Sequence, residues 1–238
     1  MPLINIDDPV LDKHSLYAEM LGTGSPTIVI KVGGTMPGTL DPGWKPIRDA
    51  LSQEATVFTY DRANLGKSDS VPRPRTLDNF TNDLHAVLLA SQVKLPFLLV
   101  GGSLGGMIVT YYASLFPQHI CGILPVDPPH PEVNLHTLEI LPVKMTDEPE
   151  SLAAFRKIAL QEQFAPLEIT ESESLDFLIS IFQAKASWKL HDIPLVVLTA
   201  GINKWEKNFY RELLRKMKSI GWIYRKNMLL CRRNQPTS

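Results

Sequence analysis

Strand-like and helix-like segments alternate along most of this chain, and this order restricts it to few architectures. Helical spacing of apolar residues predicts helices at 44–51, 77–92 and 105–116. Short runs of β-branched and other apolar residues predict five strands, at 27–32, 56–60, 97–100, 121–126 and 193–199. Near-continuous apolar strands separated by helices indicate an α/β fold with a mostly parallel sheet flanked by helices.

The alternation stops between residues 131 and 187, where acidic connectors join helical patches such as 151–163. An insertion between two sheet strands predicts a helical lid over the carboxyl edge of the sheet, where clefts of such folds lie. The expected division is the N-terminal part of the core at 1–130, the lid at 131–187, a core strand with its loop at 188–206, and a basic C-terminal segment at 207–238.

The hexapeptide GGSLGG at 101–106 lies between a predicted strand and a predicted helix. It fits the pattern G-x-S-x-G, in which glycines allow a sharp strand-to-helix turn that presents the serine at the sheet edge. Ser103 is therefore the candidate nucleophile, and the backbone N–H of Leu104 is a candidate oxyanion donor. The alternative is a glycine-rich turn with an incidental serine, but the flanking strand and helix favour the nucleophile.

Two other segments follow predicted strands. The loop VGGTMPG at 32–38 is a candidate second oxyanion donor, through the N–H of Gly34 or Thr35. Asp61 and Arg62 open the segment YDRANLGKSD, and we predict that they hold loops rather than take part in catalysis.

The segments YDRANLGKSD, GGSLGG and VDPPHPE, in this order, resemble the α/β-hydrolase fold superfamily of serine-hydrolase type. The resemblance covers about the first 130 residues well and 188–205 fairly, but it hardly extends to the C-terminal segment. It implies a catalytic triad in the chain order serine, acid, histidine, with the histidine in a loop after the last strand.

No histidine of this chain follows His191, so none occupies the place that the resemblance implies. Asp127 closes the predicted strand 121–126 and is the candidate triad acid, because some members of the fold carry it there. His130 lies three residues later, but similar proteins often carry histidine and proline here without using the histidine as the base. The six histidines are His14, His85, His119, His130, His136 and His191.

The C-terminal segment also differs from the rest of the chain in charge. Residues 204–238 hold ten Lys or Arg and two Glu, a net charge of +8, whereas the whole chain has a net charge of −1. Two explanations are open for this segment. It is a truncated or substituted C-terminus that leaves the fold incomplete, or it is a divergent natural ending. Its charge would attract phosphates, but no recognised fold supports a nucleic-acid partner.

The sequence therefore predicts a serine hydrolase acting through Ser103 on an ester, thioester or lactone of a small molecule. A pseudoenzyme without the triad histidine, or a biosynthetic acyltransferase or cyclase, is the alternative. No metal or organic cofactor is predicted, because the sequence lacks a His/Cys cluster, a Walker motif and a dinucleotide fingerprint. Two cysteines, the lack of a signal-peptide pattern and the lack of a long apolar run predict a cytoplasmic protein without a membrane span.

Overall fold

A computed structural model describes most of the core and parts of the insertion and C-terminal segment. The residues described are 3–8, 12–34, 36–129, 141, 144, 146–148, 150–164, 166–168, 173–186, 189, 192–199, 222–225 and 228–231. The strands among them are β1 Leu3–Asp8, β2 Asp12–Leu21, β3 Ile28–Lys31, β4 Val57–Tyr60, β5 Phe97–Gly102, β6 Ile120–Val126, β7 Leu167–Glu168, β8 Ser174–Leu175, β9 Trp222–Arg225 and β10 Met228–Cys231. The helices are α1 Lys45–Leu51, α2 Leu77–Ala90, α3 Leu104–Leu115, α4 Glu150–Phe164 and α5 Phe177–Ala186, with a single 3₁₀ turn at Pro117–His119.

The main sheet has the strand order β1-β2-β4-β3-β5-β6. The β1–β2 and β2–β4 pairs are antiparallel, and the remaining pairs are parallel. Residues 194–198 run parallel to β6 through the bridges Ile123–Leu195 and Val126–Leu198, where the sequence predicts a fifth strand. The predicted mostly parallel α/β sheet is confirmed, and its parallel strands all end at one edge.

The N-terminal hairpin formed by β1 and β2 is absent from the sequence-based prediction, which starts its strands at residue 27. The signal is nevertheless present in β2, where His14, Leu16 and Ala18 alternate with more exposed residues and are all buried. This period of two is typical of a strand with one face on the core. The hairpin β9–β10 was also not predicted, and it pairs in its own two-stranded antiparallel sheet.

Alternating side chains of the parallel strands pack into two cores, one on each face of the sheet. Val29 and Phe58 belong to the larger core, which also receives side chains of α2, α3 and α5. Ile28, Ile30 and Val57 belong to the smaller core, against which Leu51 of α1 packs. Helices on both faces therefore bury both sides of the parallel strands, as such sheets require.

The helix α5, which falls within the predicted lid at 131–187, contacts the larger core. Phe177, Ile181 and Ala184 of α5 are buried in the larger core. The Leu77 N–H of α2 donates to Ser180 Oγ at 3.0 Å, which joins the two helices at the amino end of α2. Because these contacts continue the core, deleting the whole range 131–187 would remove core side chains as well as the predicted lid.

Candidate active site

Ser103 lies in the turn between β5 and α3, with φ 48° and ψ −121°. The sharp strand-to-helix turn predicted from GGSLGG is confirmed, and its serine has a positive φ, which residues other than glycine rarely adopt. Ser103 is exposed at the carboxyl end of β5, whereas its neighbours Gly102 and Leu104 are buried. The turn therefore presents a single hydroxyl at the edge where the parallel strands end.

Two glycines beside Ser103 allow α3 to approach the sheet closely. A Cβ atom built on Gly105 would lie 2.1 Å from the carbonyl oxygen of Lys31, and one built on Gly101 would lie 2.3 Å from that of Gly105. Neither position has room for a side chain, because both distances are far below van der Waals contact. The glycines of the G-x-S-x-G pattern are therefore required by the contact of α3 with β3 and β5.

The amino end of α3 begins directly after Ser103. The first N–H groups of a helix have no intrahelical acceptor, and they lie at the positive end of the helix dipole. The N–H of Leu104 belongs to this group, since Leu104 is the first residue of α3. This placement suits the predicted oxyanion donor, and the role itself stays a prediction.

The loop after β3 approaches the elbow through Gly33. A Cβ atom built on Gly33 would lie 3.4 Å from Ser103 Cβ, so the backbone of this loop passes beside the serine. Gly34, the predicted second donor, follows in the same loop and is half-buried. Thr35, the alternative donor, lies outside the described residues.

Arg62 binds the backbone oxygens of this loop. Its Nη1 donates to Gly33 O at 2.7 Å and its Nη2 donates to Gly34 O at 2.8 Å. The same guanidinium forms an ion pair with Glu173, which lies near the end of the predicted lid, at 2.6 Å between Nη2 and Oε2. Arg62 is thus a loop-holding residue, as predicted.

Asp61 holds a second loop at the same edge. Its Oδ1 accepts hydrogen bonds from the N–H of Thr39 at 2.9 Å and from Thr39 Oγ1 at 2.7 Å. Its Oδ2 accepts from the N–H of Lys67 at 3.2 Å. Because Asp61 is fully buried and these acceptor sites bind protein donors, its predicted structural role fits its contacts.

Asp127 follows β6, the strand next to β5, and shares the edge with Ser103. The N–H of Ser103 donates to Val126 O at 2.8 Å, and the N–H of Asp127 donates to Leu198 O at 2.7 Å. Asp127 also has a positive φ of 48°, and its side chain is exposed. The structure therefore brings the predicted acid to the elbow, although its catalytic role stays a prediction.

The three histidines within the described part of the chain have partners away from the elbow. Nε2 of His14 lies 3.2 Å from Oδ1 of Asp83. Nδ1 of His85 and Nδ1 of His119 each lie within 3.2 Å of the Tyr112 hydroxyl. Burial lowers the pKa of His85 from its ordinary value, and the neighbouring His119 lowers it further. The candidate base His130, with His136 and His191, lies outside the described residues.

A buried charged cluster beneath the carboxyl edge was not predicted. Arg75 Nη2 donates to Asp83 Oδ2 at 2.9 Å, and both side chains are almost fully buried. Lys31 ends β3 with its Nζ 4.2 Å from the centre of the Tyr60 ring. Burial lowers the pKa of Lys31 well below its ordinary value, and the nearby Arg62 lowers it further. The lysine at the end of the apolar run IVIK was a sequence signal for a buried charge. Glu173 carried no comparable signal.

The described part of the insertion has an open depression of its own. It is lined by side chains that include Lys144, Glu148, Arg156 and Leu160, with Arg156 Nη2 paired to Glu148 Oε2 at 2.9 Å. Neither Ser103 nor Asp127 lines it. The predicted placement of the lid over the edge that carries Ser103 involves insertion residues outside the described ranges and stays a prediction.

Among the residues that the structure describes, no helix is long and apolar enough to cross a membrane. The same part of the chain contains no group of three or more His, Cys, Asp or Glu side chains placed to hold a metal ion.

The sheet order, the strand-to-helix turn at Ser103 and the neighbouring strand ends define an α/β protein with a candidate site at the carboxyl edge of its sheet. The alpha/beta hydrolase fold model matches residues 28–220, which is most of the chain. The chain therefore belongs to the alpha/beta hydrolase fold family, and the resemblance found in its sequence is confirmed.

The chain is also similar to individual proteins and to solved structures. The chain is 30% identical over 214 residues to the uncharacterized protein YqjL of Bacillus subtilis, covering 87% of this chain and 77% of that protein. It is 38% identical over 107 residues to the putative carbamate hydrolase RutD of Yersinia enterocolitica, covering 43% of this chain and 37% of that protein. A thermophilic esterase from Thermogutta terrifontis shares the fold, with a TM-score of 0.57 and 17% identity over 92% of this chain and 86% of that one.

Proposed function

We propose that this protein carries a serine-hydrolase site that cleaves an ester, thioester or lactone of a small molecule through Ser103. The observation that carries the proposal is the strained turn at Ser103, with φ 48° between β5 and α3. Strained backbone persists where the surrounding structure imposes it, and such positions cluster at functional sites. Membership of the hydrolase family and the similarity to a protein named as a carbamate hydrolase support attack on a carbonyl carbon.

The proposed reaction has two steps. Ser103 Oγ forms a bond to the substrate carbonyl carbon while its proton passes to a base, and the alcohol or thiol leaves with a proton. Water then cleaves the acyl-serine ester and releases the acid. The N–H groups of Leu104 and Gly34 would stabilise the negative oxygen of each tetrahedral intermediate. Asp127 would orient the base and stabilise its protonated form.

A second candidate is a catalytically impaired member of the family. The observation that favours it is that His14, His85 and His119 contact Asp83 and Tyr112 rather than the elbow. Without a base, the hydroxyl of Ser103 is a weak nucleophile at neutral pH. An acyltransferase or cyclase would use the same elbow with an acceptor other than water.

A fluorophosphonate probe tests the nucleophile. The expected result is labelling of the wild-type protein and none of Ser103→Ala. Ser114→Ala is the matched control, because Ser114 lies on α3 with its Oγ bonded to the backbone oxygen of Tyr111 at 2.7 Å, and it should label like wild type. Equal labelling of Ser103→Ala and wild type would overturn the proposal.

Product analysis with a competing acceptor separates the reaction types. Incubation with a p-nitrophenyl ester and excess alcohol or amine should yield the free acid if water is the acceptor. A product consisting mainly of the new ester or amide would identify a transferase.

A further inference from the structure

The guanidinium of Arg62 joins the loop beside Ser103 to the end of the insertion. Its Nε donates to Glu173 Oε1 at 2.7 Å and its Nη2 to Glu173 Oε2 at 2.6 Å, a two-pronged ion pair. Exposure of the two side chains is 1% and 0%, so water does not compete for these bonds. Arginine is suited to this contact because its planar fork matches a carboxylate.

The other N–H groups of Arg62 bind backbone oxygens of the loop after β3. Nη1 donates to Gly33 O at 2.7 Å and, more weakly, to Val32 O at 3.4 Å. Nη2 donates to Gly34 O at 2.8 Å. A guanidinium has five N–H donors, and these contacts together with those to Glu173 use all of them.

The bond to Gly33 O fixes the direction of the Gly34 N–H. In a planar trans peptide the carbonyl and the following N–H point in opposite directions. Because the carbonyl of Gly33 points to Arg62, the N–H of Gly34 points away from Arg62. Arg62 therefore sets the orientation of the group proposed as an oxyanion donor.

Glu173 is itself held by the core. The residue after it, Ser174, accepts a hydrogen bond at its backbone oxygen from the N–H of Arg75 at 2.8 Å. The N–H of Asp176 donates to Arg75 O at 2.8 Å, and Leu175 between them is buried in the larger core. The insertion thus returns to the core at a fixed point that carries the carboxylate of Glu173.

We propose that Arg62 and Glu173 are positioning residues, which orient the Gly34 N–H for catalysis and couple that orientation to the docked end of the insertion. This inference rests on the proposed function of Ser103 and Gly34. A purely structural ion pair would stabilise the fold without affecting turnover in the folded protein. The pair Arg75–Asp83, equally buried and 2.9 Å long, provides the comparison, because no described contact joins its side chains to the loop.

The test replaces each ion pair with apolar side chains of similar size. Removing one partner would leave a buried charge, whereas apolar replacement of both partners usually preserves folding. Arg62→Met/Glu173→Leu is compared with Arg75→Met/Asp83→Leu for hydrolysis of p-nitrophenyl butyrate per folded molecule. We expect kcat to fall about 100-fold in the first pair with KM within about threefold, because misplaced catalytic groups cost this much. The control should keep kcat within about threefold of wild type.

Arg62→Lys is a second variant, in case the apolar pair does not fold. A lysine keeps the charge beside Glu173 but lacks the fork that binds two carbonyl oxygens at once. It should lower kcat about tenfold with little change in KM. Wild-type kcat in either Arg62 variant, or an equal loss in the Arg75→Met/Asp83→Leu control, would overturn the inference.

The turnover of wild type and of Ser103→Ala is measured in the same experiment. A failure of the proposed function can then be distinguished from a failure of this inference. Equal turnover by these proteins would refute the proposed function of Ser103. The inference would then be decided by the NMR order parameters of the Gly33 and Gly34 amides. In Arg62→Met/Glu173→Leu these should fall from about 0.85 to below about 0.6, with no change in the control. Unchanged values in the first pair would overturn the positioning role.

Discussion

The backbone N–H of Ser103 donates to the carbonyl oxygen of Val126 at 2.8 Å. This bond ties the turn after β5 to the end of β6, and Asp127 is the next residue along the chain. Two residues with φ 48°, Ser103 and Asp127, therefore lie at adjacent strand ends. Their proximity follows from the parallel pairing of β5 with β6, which places both strand ends at one edge.

The close contact of α3 with the sheet predicts that Gly105→Ala is strongly destabilising. The new Cβ would lie 2.1 Å from Lys31 O and 2.6 Å from Val32 O, and backbone atoms cannot move aside cheaply. Overpacking costs about 1–3 kcal/mol and occasionally more, and we expect this variant at the upper end. Denaturant unfolding measures the loss. Gly43→Ala is the control, because its nearest neighbour is a side-chain oxygen at 3.3 Å. Equal stability of the two variants would contradict the packing argument.

The buried pair Arg75–Asp83 predicts a large loss of stability in Asp83→Asn. This change removes the charge that faces Arg75 at 2.9 Å, and it replaces by an NH2 group one of the two carboxylate oxygens that contact Arg75 and His14. Breaking a buried pair by removing one partner costs about 3–5 kcal/mol. Asp49→Asn provides the control, since its pair with Lys45 lies on the surface, where such pairs contribute about 0–1 kcal/mol. A difference of less than about 1 kcal/mol between the variants in urea unfolding would refute this assignment.

The features that could be predicted from the sequence are those that depend on residues close together in the chain or on the order of the strands. The elbow at Ser103 is encoded within six residues, and the position of Asp127 follows from the order of parallel strands. The ion pair between Arg62 and Glu173 could not be predicted, because it joins residues 111 positions apart. Glu173 lies among acidic connectors with no periodic pattern, and only the folded insertion shows which of these carboxylates is buried.

The sequence also did not show that the last helix of the predicted lid contacts the core. The predicted lid extends to 187, yet Phe177 and Ile181 pack in the larger core. An apolar helix face does not reveal which surface it covers, since a lid and a core helix show the same spacing. The hairpin β1–β2, by contrast, left a readable signal in the alternation of β2.

The lowered pKa of Lys31 predicts that the free energy of unfolding rises with pH. Its pKa is lowered in the folded protein, first by burial and then by Arg62, so the unfolded chain binds more protons below the ordinary value of 10.5. Between the lowered pKa and 10.5, the unfolding free energy should rise by up to about 1.4 kcal/mol per pH unit from this group. Above pH 10.5 the full contribution of Lys31 to the free energy of unfolding is present. This contribution is lost as the pH falls from 10.5 through the lowered pKa.

The measurement is urea unfolding between about pH 7 and 9.5, comparing wild type with Lys31→Met. The variant should lack this part of the pH dependence and be the more stable protein at the lower pH values. Exposed Lys94 provides the control, and Lys94→Met should follow the wild-type curve. The upper pH limit avoids the ionisation of Tyr60, whose pKa is raised by burial and by Asp83. Parallel curves for wild type and Lys31→Met would contradict a lowered pKa of Lys31.

The last prediction tests the second candidate, the catalytically impaired family member: if no base acts on Ser103, Ser103-dependent turnover is slow and lacks the pH profile of a histidine. No histidine follows His191 in the sequence, and His14, His85 and His119 have partners away from the elbow. Loss of the base lowers turnover by about 10⁶ in a serine hydrolase, whereas the oxyanion donors and substrate binding retain about 10³–10⁴ over water. Hydrolysis of p-nitrophenyl butyrate should therefore rise about tenfold per pH unit from about pH 6 to 9, because only hydroxide removes the serine proton.

Three variants make this prediction decisive. In the impaired protein, Ser103→Ala should abolish the pH-dependent reaction, whereas His130→Ala and Asp127→Asn should stay within about threefold of wild type at every pH, because no working triad is present. A plateau above an apparent pKa near 6.5 would contradict the prediction, because it would report a titrating imidazole. If His130→Ala removed that plateau and Asp127→Asn lowered turnover by about 10⁴, His130 would be the base and Asp127 the acid that orients it.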